Sequence, residues 1–196
     1  MELRPFRALR GQPRFKERRP GLWIDREVIA EGGPTRVVPL LVGLIRLSEP
    51  SSIALTGEAP AAETISRRVG ALVTAKADSE PCLLIARAPL AAPFVSMRRP
   101  DFSVLSAAGV RHDLVRINDY AQHVELQGLV KNVEAQLVTG RDVWEAARQF
   151  AVSPAAAKLP GARFKLCAIL DEAFAAVQGL EAPPGILGYA FEDPVY

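Results

Sequence analysis

Apolar residues recur with period two at Leu22, Ile24, Val28 and Ala30, interrupted only at Arg26, and this alternation predicts a strand. Glu31-Gly32-Gly33-Pro34 follows as a turn, and Thr35 to Leu47 reads as the returning strand of a hairpin. Pro39 has no amide hydrogen, so the second strand is expected to bend, bulge or lie at an edge there. Ser48 to Ser52 makes another turn before the short apolar run Ile53 to Leu55. Beyond Pro60, the residues Ile65, Val69, Leu72 and Val73 fall at i, i+4, i+7 and i+8. That spacing predicts a helix over 60–77 with one apolar face.

Cys82 to Ala88 is a compact apolar strand, and Pro89 to Pro100 a surface loop anchored by Phe94. Val110 to Ile117 and Gln122 to Val130 read as two strands around a turn at Asn118-Asp119-Tyr120. The alternation changes phase at Val133, Ala135 and Leu137, so Lys131-Asn132 marks a bulge or a second turn. Thr139 and Asp142 have the spacing of a helix cap, and Val143, Ala147 and Phe150 give the inward face of the helix that follows. Ser153-Pro154 starts a further turn that Pro160-Gly161 ends. From 162 the apolar stripe Leu166, Cys167, Leu170, Ala173, Phe174 and Val177 predicts a last helix stopping at Gly179. A strand over Phe164 to Leu170 fits the same residues.

These elements make an α+β fold, a mainly antiparallel sheet of about five or six strands packed with about three helices. At 196 residues, with 49% apolar and 23% charged, the chain suits one ordinary core over residues 22–179. Val37 to Ile45 is the longest strongly apolar run, too short for the roughly 20 residues of a membrane-spanning helix. Met1-Glu2-Leu3-Arg4 lacks the apolar core of a signal peptide. Cys82 and Cys167 sit in apolar surroundings and read as reduced and buried. Together these features predict a cytoplasmic protein of a bacterium-like cell.

Charge divides the chain unevenly. Residues 1–19 hold Arg4, Arg7, Arg10, Arg14, Lys16, Arg18 and Arg19 against Glu2 and Glu17. Residues 171–196 hold Asp171, Glu172, Glu181, Glu192 and Asp193 with no lysine or arginine, although the whole chain carries only +2. Clustered like charges seek an opposite surface: a partner, the body of the chain, or the other end of a second copy. Residues 1–21, punctuated by Pro and Gly and interleaved with Leu3, Phe6, Leu9 and Phe15, read as an extended basic arm. Residues 180–196 read as an acidic tail whose Tyr189, Phe191 and Tyr196 either dock on a neighbour or tuck onto the chain's own core.

Candidate chemistry is sparse. The sequence has no phosphate-binding glycine loop, no Gly-x-Gly-x-x-Gly, no Cys-x-x-Cys and no Gly-x-Ser-x-Gly. The two histidines and two cysteines are too scattered to suggest a zinc site, so no metal is expected. On the hairpin reading, His112, Asp113, Asp119, Tyr120, His123 and Glu125 share a polar surface. A histidine beside a carboxylate suits acid–base work, but alternate positions on such a sheet ordinarily form its wet face. The pairs Arg18-Arg19, Arg67-Arg68 and Arg98-Arg99, or the Gly32-Gly33 turn with Thr35 and Arg36, would make an anion site if they converged. Specific reading of a nucleic acid has no aromatic ladder behind it beyond Phe6 and Phe15. Two functions follow. One is a non-catalytic assembly protein whose arm and tail contact partner subunits or copies of itself. The other is a small enzyme or cofactor binder holding a phosphate-bearing ligand such as a flavin nucleotide.

Overall fold

A computed structural model of the chain describes residues 1–11, 15–30, 35–48, 52–89, 99–177, 180 and 185–196. Period-two alternation gives the central hairpin, β4 (Leu22–Ile29) and β5 (Arg36–Arg46), antiparallel from Trp23 opposite Val42 to Ile29 opposite Arg36. Around it lie β1 (Leu3–Arg4), β6 (Ile53–Leu55), β8 (Cys82–Ala86), β9 (Phe102–Leu105), β10 (Arg111–Ile117), β11 (Ala135–Thr139) and β12 (Phe164–Asp171). They form one nine-stranded sheet, ordered β6-β11-β8-β12-β5-β4-β10-β9, with β1 also pairing with β5. It is mixed: β12 runs parallel to β8 and β11 parallel to β6, while the other pairs are antiparallel. The fold is therefore α+β, as the pattern predicts, with a larger sheet than the five or six strands expected.

Pro39 sits in a central strand, not at an edge. The β12 ladder stops at Leu40, one residue short of it, so its missing amide hydrogen removes no bond from that pair. Gly43 is needed for close packing: an added Cβ would lie 2.6 Å from Leu3 Cγ and 2.9 Å from Leu22 Cδ2. Those two buried leucines fix the start of the chain against the hairpin.

Three helices are described: α1 (Ala62–Ala75), α2 (Tyr120–Val130) and α3 (Arg141–Ala151). Two segments differ from the sequence reading, one of these helices and one strand. The strand expected at 122–130 is α2, because Asp119 accepts a hydrogen bond from the Gln122 amide at 3.0 Å and starts a helix. Leu126 and Val130, four residues apart, are its buried contacts. The helix expected from 162 is instead β12, in which every residue is buried. A strand covered on both faces is apolar at every position, so its run imitates a helical stripe. The cap expected from Thr139 and Asp142 is also absent: Gly140 precedes α3 without a side-chain cap, and Asp142 accepts from Arg68.

Each face of the large sheet is covered. Leu22, Ile24, Leu41, Val115, Cys167 and Ile169 meet Leu126 and Val130 of α2 and Trp144 and Ala147 of α3. On the other face Trp23, Leu40, Val42, Leu114, Leu166 and Ala168 meet residues from both chain ends, Phe6, Ala8, Ile186, Leu187, Tyr189 and Phe191. These ends build a second sheet. In it β2 (Leu9–Arg10) lies between β3 (Phe15–Lys16) and β13 (Leu187–Ala190), and β13 reaches β7 (Ala77–Asp78). The first residues are hydrogen-bonded into the body: Leu187 pairs with Arg10, and Phe6 bridges to Gly21. No helix among the described residues is long and apolar enough to cross a membrane. The Gly32-Gly33 turn, Phe94, Arg98 and Gly179 lie outside the described residues.

Candidate functional site

Strand β4 carries three buried charged residues in a row, Asp25, Arg26 and Glu27. Trp23, Asp25 and Glu27 project from one face of β4, and His112 and Leu114 of β10 project from the same face. His112 stands directly opposite Glu27, and Leu114 opposite Asp25. The His112 Nδ1 lies 2.8 Å from Asp25 Oδ2 and 3.9 Å from Glu27 Oε1, and all three side chains are fully buried. One atom from each residue falls within 4.8 Å of the others. Their neighbours in the strand registers on this face, Val38, Leu40, Phe102, Val104 and Leu114, are apolar.

The polar surface expected over residues 112–125 is not assembled, because it assumed a hairpin where α2 forms. His112 is in the core rather than on a wet face. Asp113 points to the opposite face, accepting from Ser103 at 2.6 Å and Arg111 at 3.1 Å. Asp119 caps α2, Tyr120 is exposed, and His123 donates to the Ile117 carbonyl at 2.6 Å. Cys82 and Cys167 are register partners on the helix-covered face, away from His112. Burial pushes the Cys82 thiol up to about 12, with nearby Lys165 opposing, so it stays protonated and unreactive at neutral pH.

The charged ends meet one another. Lys16 pairs with Asp193 at 2.6 Å, and Glu17 receives Arg10 at 2.8 Å and Arg116 at 3.2 Å. Arg7 lies over the Tyr196 ring, and Arg10 over both Phe15 and Phe102. Tyr189 and Phe191 are buried in the chain's own core, whereas Tyr196, Arg18 and Arg19 are exposed. Arg4 pairs with Glu2, and Arg14 lies outside the described residues.

A second buried pair joins the two sheets. Lys165 donates to Asp78 at 2.6 Å and to the Glu80 carbonyl at 2.5 Å, on the floor of a small cavity of about 110 Å³ between α1 and α3. Burial alone would lower the pKa of Lys165, but the Asp78 carboxylate outweighs it and holds the ammonium above its ordinary value. Arg68, from one of the expected arginine pairs, is taken up by Asp142 and Glu80. A charged, paired lysine is a structural tie and a poor nucleophile.

The arginines that do converge are others. At one end of the sheet, Arg46, Arg148 and Arg163 surround an open groove of about 740 Å³ whose apolar lining includes Leu47, Ile65 and Val152. Register explains part of this: Phe164 stands opposite Arg46, so the ends of β5 and β12 bring Arg163 beside Arg46, and α3 supplies Arg148. Arg148 reaches Glu145 at 3.6 Å, while Arg46 stacks over the Phe164 ring at 5.2 Å. Among the described residues no carboxylate pairs with Arg46 or Arg163. Nothing in the sequence marks these three as a group, since they come from segments far apart in the chain. The signal for Asp25 and Glu27 was present, an i, i+2 pair in step with Trp23 and Ile29 on a strand buried on both faces. Comparison with protein families, with curated proteins and with solved structures finds no match for this chain.

Proposed function

We propose that the protein binds a small anionic ligand with an apolar body, held in the groove between Arg46, Arg148 and Arg163. The observation that carries this reading is three guanidinium groups around one apolar cleft, two of them without a carboxylate partner among the described residues. Guanidinium forks suit phosphate and carboxylate oxygens, and Leu47, Ile65 and Val152 offer contact to a chain or ring. Phosphate-bearing ligands fall in this class. The test is calorimetric titration with decyl phosphate, inorganic phosphate and decanol as probes. Decyl phosphate should bind one per chain, more tightly than either fragment, and Arg163→Ala should weaken it by about tenfold, one charge-assisted contact. Equal binding by wild type and by Arg46→Ala/Arg163→Ala would remove the groove from consideration.

Assembly through the charged ends is the second reading, supported by the exposed rings of Phe15 and Tyr196 at the seam where arm and tail meet. Exchange of the arm between two copies would reproduce the Lys16–Asp193 and β2–β13 contacts in trans. Sedimentation velocity separates the readings, because exchange predicts a dimer and the ligand reading needs only a monomer.

A further inference from the structure

We propose that Asp25, Glu27 and His112 form a binding site for a first-row divalent cation such as Mn²⁺ or Zn²⁺. Three different side chains converge from two paired strands, and their ligand atoms lie within 4.8 Å of one another. Ligands bonded at about 2.1 Å around a tetrahedral or octahedral ion stand about 3.0–3.4 Å apart. The observed 2.8 and 3.9 Å from His112 Nδ1 to the two carboxylates bracket that range. Small rotations of the Asp25 and Glu27 side chains would equalise them.

The donor set is one imidazole nitrogen and two carboxylate oxygens, which suits Mn²⁺, Fe²⁺ or Zn²⁺ better than the soft ions that thiolates select. A dication between the two carboxylates is held by charge as well as by donation, and His112 must offer Nδ1 without its proton to bind it. Next to the site, Val104, the register partner of His112, and Phe102 line an open groove of about 580 Å³ together with Arg10 and Ile186.

Equilibrium dialysis against Mn²⁺ or Zn²⁺, with metal counted by plasma mass spectrometry, tests the site. The wild type should hold one ion per chain, and its melting temperature should rise with Mn²⁺ relative to chelator. Glu27→Gln should weaken binding by more than about tenfold, whereas His123→Ala, the other histidine, should leave it intact. Should Glu27→Gln fail to fold, Asp25→Asn takes its place with the same loss expected, and the wild type must still hold one ion per chain. Absence of stoichiometric metal on the wild type, or a Glu27→Gln protein that binds as well as the wild type, would overturn the proposal.

Discussion

At the residue scale the most informative side chain is Lys165. It and Asp78 are both buried, and a charged pair taken out of water is held by mutual attraction and by the Glu80 carbonyl. Removing one partner strands the other, so Lys165→Met should cost about 3–5 kcal/mol in urea unfolding. Lys165→Met/Asp78→Leu should recover most of that loss, since an apolar pair of similar volume carries no desolvation cost. A double variant as unstable as the single one would mean that packing, not charge, dominates the position. The same neighbourhood sets alkaline stability. The Cys82 thiol moves from 9.0 up to about 12 on folding, so its contribution is complete below pH 9 and is lost as pH climbs toward 12. Cys167 is raised in the same direction, again chiefly by burial. Unfolding free energy should therefore fall above pH 9, by about 1.4 kcal/mol per pH unit for each thiol, and Cys82→Ala should flatten the slope. A free energy unchanged between pH 9 and 10.5 would contradict this.

At the element scale the sequence was legible where the apolar spacing fits one period and obscure where one apolar run fits two. The hairpin of β4 and β5, the strands β8 and β10, and helices α1 and α3 follow from periodicity alone. In β12 it fails, because Leu166, Ala168 and Leu170 pack on the chain ends while Cys167 and Ile169 pack on the helices. In α2 it fails for another reason. Val124 is exposed and only Leu126 and Val130 are buried, so the apolar stripe is too thin to outweigh β-branched propensity. The cap decides the outcome there. Asp119→Ala should cost about 1 kcal/mol and lower helical circular dichroism, while Asp119→Asn should cost less. Equal stability in all three proteins would show that packing by Leu126 suffices without the cap. The candidate site divides in the same way: His112 was legible as a histidine near acids, but its true partners lie on a strand 87 residues away.

At the scale of the whole molecule, the two charged ends meet within one chain. The basic start and acidic end share a small sheet that covers the second face of the large one, with Phe6, Ala8, Tyr189 and Phe191 buried. Burial outweighs charge in this docking. The Lys16–Asp193 pair is partly exposed and contributes no more than about 1 kcal/mol, whereas Phe191 fills the core beside Phe150 and Tyr189. Deleting residues 1–11 should therefore destabilise the entire fold, and 1 M salt should not mimic the deletion even though screening then acts within about 3 Å. A truncated protein with unchanged circular dichroism and melting temperature would show the ends to be appendages.

The ligand groove is the central functional claim, and amide chemical shifts during titration with decyl phosphate test it most directly. The account predicts saturable shifts clustered at Arg46, Leu47, Ile65, Arg148, Val152 and Arg163, abolished in Arg46→Ala/Arg163→Ala. Shifts that cluster instead around Phe102 to Ala108, or no saturable shifts at all, would contradict it.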